Sequence, residues 1–151
     1  RDRELPVWKR ARVREGFWEF AQWMSERPEA EMVVLSNGAS EYVWPVLAAW
    51  PGMASMKAER LERVMEVICL ADEGSRWASK REYVRQHLAE ESVYIGDGLG
   101  DYDAAVLCDH VFARDQLATA LWANGRPFTR FEDFRDILQG VKGIWGERAR
   151  T

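Results

Sequence analysis

The sequence is poor in the residues that build metal and redox sites. Its 151 residues include two cysteines and two histidines. Cys69 and Cys108 stand apart, without the Cys-x-x-Cys spacing of a zinc or thioredoxin-like site. They are expected to be reduced, half-buried thiols of a cytoplasmic protein. His87 and His110 have no clustered partner and are expected to serve surface or packing roles. No apolar run reaches transmembrane length and no signal-peptide pattern opens the chain, so no membrane partner is expected. The formal net charge is −4, which leaves no basic footprint for nucleic acid. There is no internal repeat and no low-complexity linker.

What is present is an ordinary globular composition, 47% hydrophobic and 30% charged, on a chain long enough for one domain with a real core. Eight scattered tryptophans are expected in or beside that core. Val13, Phe17, Phe20, Ala21 and Met24 share a helical face, which predicts a helix over 12–27 stopped by Pro28. Met32–Leu35 reads as a buried parallel strand, followed by a Ser36-Asn37-Gly38 turn and a helix over 40–49. Residues 53–70 fit two periods: Leu61, Val64, Met65 and Ile68 a helix, Ala54, Met56 and Ala58 a strand. A turn follows at 72–75. Ser79-Lys-Arg-Glu82 has capping-box spacing and starts a helix to about Ala89. Then come a strand over 93–95, a loop over 96–101, a helix from Tyr102 to about Leu107 and a strand over 111–113. Asp115 caps a helix ended by Asn124-Gly125, Pro127-Phe128 is a candidate edge strand, and 132–139 a last short helix. Alternating strands and helices predict a Rossmann-like, doubly wound parallel sheet. The division is a polar leader 1–11, an α/β core 12–140 and a polar tail 141–151.

The informative loop is Gly96-Asp97-Gly98-Leu99-Gly100-Asp101, between strand and helix. It puts two carboxylates at the carboxyl end of a strand, where open α/β sheets bind ligands. The glycine spacing is one residue short of the dinucleotide fingerprint, a Walker A lysine is absent, and the EF-hand position that needs Glu holds Cys108. Carboxylates at such an edge suit a hard cation such as Mg²⁺.

Gly-Asp-Gly-x-x-Asp-x-x-Ala-Ala, at 96–105, resembles the fourth motif of the haloacid dehalogenase-like (HAD) phosphohydrolases. Leu35-Ser-Asn-Gly38 is similar to their second motif and Lys80, in Ser-Lys-Arg-Glu, to the lysine of their third. Arg14–Phe17 is similar to the family's helix start, and Ala58–Glu62 to the strand after motif II, which tips 53–70 toward β. The segments 111–117 and 127–134 are similar to the end of the phosphoserine-phosphatase-like branch, especially its methionine-salvage relatives. The resemblance spans about 12–140. It implies that Asp97 binds Mg²⁺, that Asp101 supports the site, and that Ser36, Asn37, Gly38 and Lys80 hold phosphate. The implied partner is a small phosphorylated metabolite.

The family's first motif, an apolar strand followed by Asp-x-Asp-Gly-Thr, supplies the nucleophile that forms an aspartyl-phosphate. Neither that motif nor the helical cap after it occurs in this sequence. The resemblance places the absent strand at the centre of the sheet, so the core is expected to be incomplete there and its open edge to permit self-association. Mg²⁺ is expected to bind weakly, or not at all, to this chain alone, and phosphatase turnover to be insubstantial. The chain opens on Arg rather than Met and is expected to be the motif II–IV part of a longer phosphatase. The alternative is a HAD-like pseudoenzyme that binds a phosphorylated ligand or a protein without turnover; an unrelated Rossmann-like binding domain is the third reading. Blander roles compete for each residue: an Asp-rich helix cap for Asp97 and Asp101, a turn serine for Ser36, a solvated helix-start lysine for Lys80. Lys57 is the rival for the motif III lysine.

Overall fold

The computed structural model describes residues 14–48 and 65–146. In chain order the elements are α1 (Phe17–Ser25), β1 (Val33–Ser36), α2 (Ser40–Ala48), β2 (Glu66–Cys69), α3 (Lys80–His87), β3 (Val93–Gly96), a 3-10 turn (Leu99–Asp101), α4 (Tyr102–Ala105), β4 (His110–Ala113), α5 (Asp115–Ala123), β5 (Thr129–Arg130) and α6 (Phe134–Trp145). The chain is α/β with parallel strands, as the alternation of periods predicts. The strands form two ladders, β1-β2 and β3-β4-β5, so among the described residues β1 and β3 each have a partner strand on one side only. By contacts the chain divides into two compact units, Arg1–Gly74 with Asp133–Thr151, and Ser75–Glu132.

In the first unit α1 buries Phe17, Trp18, Phe20, Ala21 and Met24, which bears out the apolar stripe from Phe17 onward; Val13 lies outside the described residues. The helix starts at Phe17 rather than 12, because Gly16 has φ 85° and the chain turns there, with Phe17 N–H donating to Arg14 C=O. Phe17 and Phe20 pack on Phe134 of α6 at ring separations of 5.0 and 5.6 Å. That helix runs to Trp145, past the expected end at 139. Gly140 and Gly143 weaken its local propensity, but Ile137 and Val141 continue one fully buried stripe that keeps it helical. β1 and β2 pair in register from Val33 with Glu66 to Ser36 with Cys69. β2 was hidden in the sequence because its four residues sit inside the ambiguous segment. The strand expected at 58–62 and the rival Lys57 lie outside the described residues. Asp72, just after β2, accepts from the Ser40 N–H at 2.7 Å and from the Ser40 hydroxyl, tying the turn to the start of α2. Those hydrogen bonds hold its carboxyl below the usual range.

In the second unit β3 pairs with β4 from Val93–His110 to Gly96–Ala113. Leu117 and Leu121 of α5 pack with Ala104, Ala105 and Ala113 into its core. Ser79 caps α3 through the Glu82 N–H at 3.1 Å, as its spacing predicts; the helix ends at His87, short of Ala89, because Leu88 turns extended. Asp115 begins α5. At its end Gly125 has φ 66°, and the Gly125 and Arg126 N–H groups donate to Trp122 and Leu121 C=O, a Schellman closure. α4 stops at Ala105, short of Leu107, and continues as hydrogen-bonded turns to Cys108. The last strand is Thr129–Arg130 rather than Pro127-Phe128. Pro127 has no N–H for a ladder, and Phe128 packs against the core instead.

Candidate functional site

The end of β3 brings three of the expected residues together. The chain leaves the strand at Gly96, passes Asp97 and Gly98, and folds Asp101 back beneath the strand end. Asp101 is 6% exposed. Its Oδ2 accepts from the Gly98 N–H at 3.0 Å and the Asp97 N–H at 3.3 Å. Its Oδ1 accepts from Lys80 Nζ at 2.8 Å and from the Tyr94 hydroxyl at 2.6 Å. Four donors thus saturate one buried carboxylate. Burial alone would raise its pKa, but the Lys80 and Tyr94 hydrogen bonds, the Lys80 charge and the Gly98 N–H together hold it below the usual carboxylate range. Burial pushes the Tyr94 phenol up, and the Asp101 charge beside it pushes further, so Tyr94 is a proton donor across the working range.

Lys80 is the first residue of α3, and the Ser79 cap sets where that helix begins. Its side chain is only 14% exposed, which excludes the solvated helix-start lysine. Among the described residues its ammonium makes one hydrogen bond, to Asp101. Two of its three N–H donors remain for a ligand.

The backbone around Asp97 is fixed from both sides. Its N–H goes to Asp101 and its C=O accepts from the Leu117 N–H at 3.1 Å, while Gly96 C=O accepts from the Arg114 N–H. The two glycines of Gly-Asp-Gly have different reasons. A Cβ on Gly96 would lie 2.8 Å from Asp101 Cγ and Oδ2, whereas one on Gly98 would meet Oδ2 at an ordinary 3.6 Å. Gly96→Ala is therefore expected to lower stability by about 1–3 kcal/mol through overpacking, and Gly98→Ala by well under that. Thermal unfolding of the two variants side by side checks the contrast; equal losses would show that space at Gly96 is not what matters.

Ser36, Asn37 and Gly38 lie in the other unit and form a turn of their own at the end of β1. Ser36 Oγ accepts from the Gly38 N–H at 3.0 Å, and Asn37 is exposed. The Gly38 N–H is thus turned onto the serine. It can reach a phosphoryl oxygen only by exchanging that bond.

Sequence reasoning missed Tyr94. A lone tyrosine in a short apolar strand was the available signal, because a buried phenol needs a hydrogen-bond partner. It also passed over Asp72 as a plain turn residue. Cys69 is buried, more so than expected, and Cys108 half-buried; both are free thiols. His87 stacks on Tyr83 at 4.1 Å, a packing role as expected.

For a cation, the strand end offers Asp97 beside a carboxylate already saturated by four donors. Among the described residues no three Asp, Glu, His or Cys side chains converge. Taken alone these donors do not complete a Mg²⁺ site. Among the described residues no helix is long and apolar enough to cross a membrane.

No family model matches the sequence. The chain is 29% identical over 146 residues to the 2-hydroxy-3-keto-5-methylthiopentenyl-1-phosphate phosphatase of Bacillus mycoides (strain KBAB4), covering 89% of this chain and 65% of that protein. It is 29% identical over 147 residues to the protein of the same name from Bacillus cereus (strain B4264), covering 87% of this chain and 64% of that one. The Bacillus velezensis protein of that name is 26% identical, with 91% and 63% covered. The chain thus spans about 65% of the length of the curated relatives it matches. Over most of its own length it is similar to named phosphatases, which supports the likeness to HAD-type phosphatases carried by its motifs.

Proposed function

We propose that this chain is the motif II–IV part of a HAD-type phosphomonoester hydrolase, whose parent acts through an aspartyl-phosphate formed on a nucleophile not found among these residues. The observation that carries the reading is Lys80. Its ammonium is nearly buried and, among the described residues, is bonded to Asp101 through one donor, which leaves two donors for an anion. Phosphoryl transfer depends mainly on positioning and charge neutralisation. Lys80 supplies a fixed positive charge, and Asp101 holds it in place. The turn Ser36-Asn37-Gly38 is assigned phosphoryl contacts on the strength of the motif. Asp97 is assigned to Mg²⁺ as one ligand of a set that the described residues do not complete; the cation, when bound, would neutralise phosphate charge. The relatives' names support a small phosphorylated metabolite as the substrate class and make 2-hydroxy-3-keto-5-methylthiopentenyl 1-phosphate the first compound to try with the full-length protein.

The test is calorimetric titration of inorganic phosphate into this chain and into Lys80→Met. The variant is expected to bind at least about tenfold more weakly, since a hydrogen bond to a charged group contributes roughly 1.5–3 kcal/mol. Equal binding by both proteins, or none by the wild type, sinks the assignment. The chain is expected to turn over a generic phosphomonoester negligibly. Turnover abolished by Asp97→Asn would show that a nucleophile is present after all. A second reading is a HAD-like pseudoenzyme, in which the native product carries no Asp-x-Asp-Gly-Thr motif and binds a phosphorylated ligand without turnover. Phosphate binding by a native product without that motif would support it.

A further inference from the structure

We propose that Tyr94 is a positioning residue of this site: its phenol clamps Asp101 Oδ1 and so fixes the carboxylate orientation that aims the Lys80 ammonium. The inference rests on the phosphate-binding reading of Lys80 and adds a residue to it.

The geometry is a double clamp. Gly98 and Asp97 N–H groups hold Oδ2, and the Tyr94 hydroxyl shares Oδ1 with Lys80 Nζ. An aspartate's terminal torsion is broad and intrinsically undecided. The backbone donors fix one oxygen, and a second fixed donor is needed to set the plane. Lys80 cannot be that donor, because its four-carbon stem is flexible and it is the group to be aimed. Tyr94 can. It is 7% exposed, sits within β3 in register with Val111 of β4, and its ring packs in the core with Ala104 and Ala105. Without the hydroxyl, Oδ1 keeps only the lysine, and the two can swing together. Tyr94 is buried away from solvent, so it acts through Asp101 and Lys80 rather than on the ligand.

A tyrosine that merely fills the core would look the same in a stability measurement, so the test reads coupling. Tyr94→Phe keeps the ring and is expected to fold, with an unchanged near-ultraviolet dichroism spectrum. Phosphate affinity is expected to fall about three- to tenfold, within the range of one lost hydrogen bond. Lys80→Met is expected to cost much less in the Tyr94→Phe background than in the wild type, because the lysine is already misaimed. Wild-type affinity in Tyr94→Phe, or losses that simply multiply, overturns the positioning role while leaving Lys80 as the phosphate ligand. If the wild type binds no phosphate, the reading of Lys80 fails separately, and Tyr94 is then judged without ligand. The ¹⁵N signal of the Lys80 ammonium is expected to be sharp in the wild type and broadened in Tyr94→Phe; an unchanged signal rejects the inference. Should Tyr94→Phe not fold, the wild-type protein decides: a slowly exchanging Tyr94 hydroxyl proton is expected, and its absence rejects the clamp.

Discussion

Asp101→Ala is expected to destabilise the protein by about 3–5 kcal/mol, the range for breaking a buried ion pair from one side. The change leaves the Lys80 ammonium, 14% exposed, without its counter-charge. It also strands the Tyr94 hydroxyl and the Gly98 and Asp97 N–H groups. Urea denaturation at neutral pH measures the loss; a cost below about 1 kcal/mol, typical of an exposed pair, would mean that water reaches the carboxylate freely. The effect has a predictable pH dependence. The folded carboxyl lies below the usual carboxylate range despite burial, because Lys80 and Tyr94 favour its ionised form. A lowered carboxylate pKa contributes stability that is present above the unfolded value and disappears as pH falls through the folded one. The gap between wild type and variant should therefore be full at neutral pH and narrow below about pH 4. A gap that widened in acid would contradict an ionised Asp101 in the native state.

Gly16→Ala is expected to cost about 2–5 kcal/mol, the sum of a left-handed backbone penalty and overpacking. Gly16 has φ 85°, and a Cβ there would lie 2.8 Å from the Arg135 backbone nitrogen and 3.1 Å from the Phe134 carbonyl carbon. Backbone cannot swing aside as a flexible side-chain end can. Gly125 separates the two causes. Its φ is 66°, but nothing lies within 4 Å of the position a Cβ would take. Gly125→Ala should therefore carry only the conformational part, about 1–2 kcal/mol. Thermal unfolding of both variants decides: equal shifts would mean that the approach of α6 to Gly16 adds nothing.

Much of the fold was legible in the residue pattern. The buried stripe of α1, the strand before Asp97, the cap at Ser79 and the left-handed Gly125 each follow from local rules, and each is where those rules put it. Strand β2 was not legible, because four residues inside a segment with two competing periods carry too little signal. The end of α6 was misjudged because two glycines weigh against a helix locally while burial of Ile137 and Val141 weighs for it. The site was half legible. Asp97 and Asp101 could be picked out by type and spacing and Lys80 by its likeness to the third HAD motif, whereas the partner of each could not.

By itself, the sequence determined the alternation of strands and helices outside β2 and β5, the parallel α/β class and the position of an acidic loop at a strand end. Those depend on periodicity, caps and glycines, which act over a few residues. Only the tertiary structure decided that Asp101 is a saturated anchor, that Lys80 is nearly buried against it, and that Gly96 is required for space while Gly98 contributes its N–H. It also brought Tyr94 to the carboxylate and Gly16 against α6. The physical reason is the same throughout: burial and hydrogen-bond saturation depend on groups far apart along the chain, and a carboxylate's role is set by which donors reach it.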